Sequence, residues 1–167
     1  MPIKLYNKES KLLFLCGIII LISCQTIKKQ SPHPLQNHVI RLLPGADLRN
    51  SIQQYVNDHQ INAGWMVTGV GSLTDYRIRF ANQPEGNTGE GHFEIVSLTG
   101  TVSQSGSHIH ISIADSTGKT FGGHLLEGCK VYTTAEIVIQ SDSNYTFKRE
   151  KDGTTPWEEL QINKKKP

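Results

Sequence analysis

The sequence predicts an α+β domain, a mainly antiparallel β-sheet with one main helix packed on it. Two observations carry this. One segment has a helical stripe: Leu48, Ile52, Tyr55 and Val56 fall at i, i+4, i+7 and i+8 and form a single apolar face. The other apolar positions lie in short β-branched and aromatic runs split by Gly and Asn: "GWMVTGVGSL", "YRIRF", "HFEIVSLTGTV", "HIHISIAD", "KTFGGHLL", "VYTTAEIVIQ" and "YTFKRE". One helix among seven or eight strands is the pattern of a helix covering an antiparallel sheet.

Taken in order, the chain opens with a leader. Lys4, Lys8 and Lys11 give a positive start, and Leu12 to Ile22 is an almost unbroken apolar run. That is about the length of a signal-peptide core and short for a membrane-spanning helix. It ends at "LISC", residues 21–24, which resembles the lipobox of bacterial lipoproteins. The resemblance implies that residues 1–23 are a cleaved signal peptide and that Cys24 carries lipid, palmitate included. The protein would then be anchored to a membrane of the cell envelope. Gln25 stands where an Asp would signal inner-membrane retention, so the outer membrane is expected in a cell that has one. The alternative is an ordinary secretory signal or an uncleaved anchor.

Residues 24–37 are polar, with two prolines and no periodicity, and read as a flexible tether. Residues 38–162 are the expected domain and residues 163–167 a basic tail. Within the domain, His38 to Leu43 reads as a strand, Pro44-Gly45 as a turn, and Asp47 as the cap of a helix ending near His59. Residues 81–91, "ANQPEGNTGEG", read as a loop, and the glycines of "GVGSL" as a tight sheet bend. Cys16 leaves with the signal and Cys24 takes the lipid, so Cys129 has no intrachain disulfide partner. Its apolar surroundings predict a buried, inert thiol.

Charge weighs against one class of partner. Residues 38–163 hold 9 basic and 14 acidic residues, a net of −5. A nucleic-acid binder needs a cationic footprint to displace counterions from phosphates, so nucleic acid is not the expected partner.

The chemistry-bearing stretch is "HIHISIADSTGKTFGGHLLEG", His108 to Gly128, with three of the seven histidines. Ser116-Thr117-Gly118 suits a three-residue hairpin loop, with Gly in the left-handed position. The register that follows pairs Asp115 with Lys119 and sets His110 directly opposite His124. His108 then lies two residues along on the same face, diagonal to His124. At such separations three imidazoles can converge on one ion. The other face carries Ile109, Ile111, Ile113, Phe121 and Leu125, all apolar, and a slip of one residue would mix the two sets. Gly122 and Gly123 strip side chains from beside the cluster, as a bend or a close backbone approach requires. His108, His110 and His124 are therefore the candidate metal ligands. Zinc is the first expectation, with iron or nickel as alternatives, because imidazole suits them all. Three ligands leave a position open for water or an unidentified small molecule. Glu136 is the candidate partner behind the ligands, or a base; the alternative is that it pairs with a neighbouring arginine. The competing reading of the whole stretch is a wet strand that happens to carry histidines.

The ordered motifs "LLPGADL", "GVGSL", "FEIVSLTGTV", "HIHISIAD", "GGHLLEGC" and "VYTTAEIVI" resemble the PPC domain, the plants and prokaryotes conserved domain of AT-hook nuclear proteins and prokaryotic homologues. The resemblance covers about residues 38–162. It implies the α+β fold already read, a homotrimer, and a metal site at His108, His110 and His124. Two departures bear on function. No Arg-Gly-Arg-Pro hook is present, and the plant partner-binding Gly-Arg-Phe-Glu-Ile-Leu segment is here Gly91-His92-Phe93-Glu94-Ile95-Val96. The functional expectation is a membrane-anchored, trimeric metal-binding domain that binds or acts on a small molecule. The alternative is a DNA-binding regulatory protein whose leader has been over-read.

Overall fold

The computed structural model describes residues 34–166. In chain order these form β1 (Leu35–Leu42), α1 (Leu48–Asp58), β2 (Gly64–Arg79), β3 (Asn87–Ser103), β4 (Gly106–Ala114), β5 (Thr120–Leu125), β6 (Lys130–Asp142), β7 (Tyr145–Glu150) and β8 (Glu159–Lys164). The expected signal peptide, Cys24 as the expected lipidation site and the expected tether up to residue 33 lie outside the described residues.

The helix forms where its signals put it. Asp47 caps it by accepting a hydrogen bond from Asn50 N at 3.0 Å, and its other oxygen accepts from Gly128 N at 2.6 Å. One carboxylate thus starts α1 and ties it to the turn before β6. Leu48, Ile52 and Val56 are fully buried, and Tyr55 packs partly against the same core. Burying each such side chain stabilises by about 1.5–3 kcal/mol, which is what holds an 11-residue helix on the sheet.

The main sheet runs β1-β6-β2-β3-β4-β5, with all its pairings antiparallel. The 16-residue β2 serves two neighbours along one edge. Its residues Gly64 to Asp75 pair with β6, and Ile78 and Arg79 then pair with Leu125 and His124 of β5. This second pairing closes β2, β3, β4 and β5 into a ring and brings His124 and Leu125, at the far end of the histidine stretch, against β2. β7 and β8 form a separate two-stranded sheet, docked where Phe147 N donates to Asn62 O at 2.8 Å.

Several boundaries differ from expectation. β1 begins at Leu35, paired with Asp142, so residues 35–37 belong to the sheet and not to a tether. Asn163 and Lys164 pair with Thr146 and Tyr145 in β8, so the basic tail starts later. "GWMVTGVGSL" and "YRIRF" are one strand that shifts register near Gly71 and Leu73 instead of breaking. The expected loop 81–91 is shorter because β3 starts at Asn87, where Thr88, Gly89 and Glu90 pair with β2. In each case a partner strand supplies the hydrogen bonds that local Gly and Asn signals argue against. No helix among the described residues is long and apolar enough to cross a membrane.

Candidate metal centre

The hairpin that carries the site follows the expected register. Asp115 N donates to Lys119 O at 3.1 Å, Gly118 N donates to Asp115 O at 2.9 Å, and Gly118 has φ +83°. Asp115 Oδ1 also accepts from Thr117 N and Lys119 N, which fastens the turn. His110 pairs with His124 and Ile113 with Phe121. Ile109, Ile111, Ile113 and Leu125 are buried, Phe121 is partly so, and the histidines take the other side. The apolar face drives the hairpin into the core and leaves the imidazoles outside it.

The three histidines do meet. One nitrogen from each of His108, His110 and His124 can be chosen so that all lie within 4.8 Å of one another. His108 Nε2 and His110 Nε2 are 3.1 Å apart, and His108 and His124 ring centroids 5.1 Å. Two nitrogens on one tetrahedral zinc stand roughly 3.4 Å apart at bonds of about 2.1 Å, so the first pair is already at ligand spacing. The donor set also fits chemically. His124 Nδ1 is buried with no hydrogen-bond partner among the described residues, a state that costs free energy unless something is bound. Burial, then His108 and Arg79 beside it, push the His124 pKa down to about 4. Burial also lowers His108, with Arg149 and His110 adding. Two of the three imidazoles are thus held toward the neutral form that a metal needs.

Gly123 explains how His124 gets there. A Cβ on Gly123 would stand 2.5 Å from Arg79 O and one on Gly122 2.3 Å from Ile111 O. The bare backbone lets β5 close onto β2, which is the close approach expected of this glycine pair.

Among the described residues, Glu136 does not join the histidine cluster. It is exposed on β6, opposite Arg41 and Val70, and β2 and β3 lie between β6 and the histidine strand β4. Its β6 position put it near the motif in sequence but not across the sheet. The expected alternative, an ion pair with a neighbouring arginine, is not formed among the described residues: no ion pair involves Glu136, and Arg41 Nε across the ladder donates to Thr134 Oγ1 at 3.3 Å.

The groups that do surround the histidines come from elsewhere. Arg79 is the β-ladder partner of His124, and its guanidinium sits 4.8 Å over the Trp157 ring. Arg149 on β7 donates to Thr101 Oγ1 at 2.6 Å, and Thr101 is the ladder partner of His108. With Arg49 of α1 they line a cavity of about 440 Å³ against His108 and His124. Nothing local in the sequence marks these residues, because ring closure and the β7–β8 sheet bring them in. Cys129 is fully buried, with Arg77 N 3.2 Å from its sulfur, and burial raises the thiol pKa to about 11.

Known proteins match both the fold and the chain. The model of the Plants and Prokaryotes Conserved (PCC) domain matches residues 29–143. The bifunctional protein GlmU of Synechococcus sp. (strain JA-3-3Ab) is 39% identical over 130 residues, 78% of this chain and 21% of that protein. The chain therefore spans about a fifth of that curated relative's length. A hypothetical protein from Salmonella superimposes with TM-score 0.77 at 34% identity, over 80% of this chain and 97% of that one. A protein from Archaeoglobus fulgidus described as metal-containing does so with TM-score 0.64 at 26% identity, over 75% and 93%. With the fold, the histidine hairpin and these matches together, the chain belongs to the Plants and Prokaryotes Conserved domain family, the one its sequence motifs resemble.

Proposed function

We propose that this is a membrane-anchored metal-binding domain in which His108, His110 and His124 hold one transition-metal ion. Zinc is the first choice, with iron or nickel as alternatives. One observation carries the reading: three imidazole nitrogens within 4.8 Å of one another on a face otherwise sorted cleanly from the core. The orphaned His124 Nδ1 and the relative described as metal-containing support it. Such an ion supplies Lewis acidity at an open position. The chain's own part is to hold His108 and His124 toward the neutral form, to align all three imidazoles and to present a cavity beside them, where a small molecule binds. Anchoring comes through lipid on Cys24, at the cell envelope, and the working unit is a homotrimer.

Elemental analysis of the purified full chain tests the metal. One ion per chain in the wild type, and none when all three histidines are alanine, is the expected result. An unchanged content in that variant overturns the reading. Radiolabelled palmitate tests the anchor: label should enter the wild type and not the Cys24→Ser variant.

A second reading is a DNA-binding regulatory protein. The three arginines near the histidines favour it, and the excess of 14 acidic over 9 basic residues in 38–163 opposes it. Retardation of DNA in a gel at about 150 mM salt would reverse the order of the two readings.

A further inference from the structure

Arg49, Arg79 and Arg149 come from α1, β2 and β7, far apart in sequence, and line one cavity. Residues 38–163 contain only five arginines, so three of the five gather here. Carboxylates outnumber basic groups in the same residues, yet none of these three arginines makes an ion pair among the described residues. Glu159 lines the same cavity, but its carboxylate accepts a hydrogen bond from Thr155 and is not within ion-pair distance of Arg149.

Two of the guanidiniums are held in place. Trp157 backs Arg79 at 4.8 Å, and Thr101 fixes one Nη of Arg149 at 2.6 Å, with its other guanidinium donors unpaired among the described residues. Ser107 Oγ is buried in the same wall with no hydrogen-bond partner among the described residues. Three neutral imidazoles bring no negative charge to a bound dication. The cavity then holds a dication and three arginines against only Glu158 and Glu159. That excess positive charge calls for an anion.

We propose that this cavity binds a small oxyanion-bearing molecule, a dicarboxylate or a phosphate compound, with one acidic group on Arg79 and Arg149. The inference deepens the metal reading by naming the ligand class, and rests on it for the ion's share of the charge. A cavity of about 440 Å³ is within the range of small-ligand sites. The planar fork of arginine suits carboxylate and phosphate alike.

Calorimetry on the purified full chain tests this, with succinate and inorganic phosphate as separate probes. Each is titrated into metal-loaded and chelator-stripped protein, with metal content measured in parallel. At least one probe should bind the metal-loaded wild type, and which one binds identifies the source of the oxyanion. Arg79→Gln and Arg149→Gln should each weaken it at least tenfold without altering metal content. Arg149→Lys keeps the charge, and should retain more affinity than Arg149→Gln if the site reads the anion. Metal uptake with neither probe bound, or binding indifferent to both arginines, overturns the inference and leaves the metal reading standing. Arginine-dependent anion binding to a chain that takes up no metal does the reverse.

Discussion

His110 stands directly opposite His124 across the β4–β5 ladder, with ring centroids 5.7 Å apart, and both project from the face opposite Ile111 and Leu125. A three-residue turn centred on Thr117 sets that pairing, and the apolar face keeps it from slipping.

If the three histidines share one ion, their removal is strongly non-additive. His108→Ala, His110→Ala or His124→Ala should each cost more than the roughly 10–100-fold affinity loss typical of outer partners. A second substitution should add little. Competition with a chromogenic chelator measures this. Three small, independent losses would mean that the histidines line a wet strand.

The lowered pKa of His124 has a definite sign. Its native value is about 4, below the ordinary value of about 6.5 in the unfolded chain. The unfolded chain therefore takes up protons first as pH falls. His124's contribution to the stability of the metal-free protein should be fully present above about 6.5 and lost progressively from there down to about 4. Denaturant melts in chelator at intervals across that window check it. His124→Gln should flatten the slope, and an equal slope in the variant would show that His124 is not the group responsible.

Gly123→Ala should destabilise the domain by about 1–3 kcal/mol, because its Cβ would meet Arg79 O at 2.5 Å. The same change should weaken metal binding by moving β5 away from β2. A variant that melts and binds like the wild type would remove the close approach from the account.

Cys129 is fully buried, and burial raises its pKa to about 11. A maleimide should label it slowly in the native protein and quickly in denaturant. Fast native labelling would contradict the packing around Arg77.

Self-association has a surface available. Val39, Val67, Val70, Val96 and Tyr132 are exposed on the neighbouring strands β1, β2, β3 and β6. Light scattering of the full chain in mild detergent, corrected for the detergent, should give three times the chain mass. A monomer at micromolar concentration would end the trimer proposal.

The sequence alone determined the helix, its Asp47 cap, the strand-rich character and the histidine hairpin with its register. Each rests on short-range physics: a period of 3.6 or 2, a capping side chain, a turn that demands glycine. Two chain neighbours facing each other across a tight turn have no freedom to choose another partner. Tertiary structure decided everything that depended on distant segments meeting. β2 runs on as one strand because β6, β3 and β5 supply its hydrogen bonds in turn. Glu136 lies away from the histidines because β6 and β5 pair with different stretches of β2, Glu136 with Val70 and His124 with Arg79, although only 12 residues of sequence separate the two. Arg79 joins the site through ring closure, and Arg149 and Trp157 through a second sheet. No local pattern encodes those arrivals, because the burial of the whole core fixes them and not the preference of any one segment.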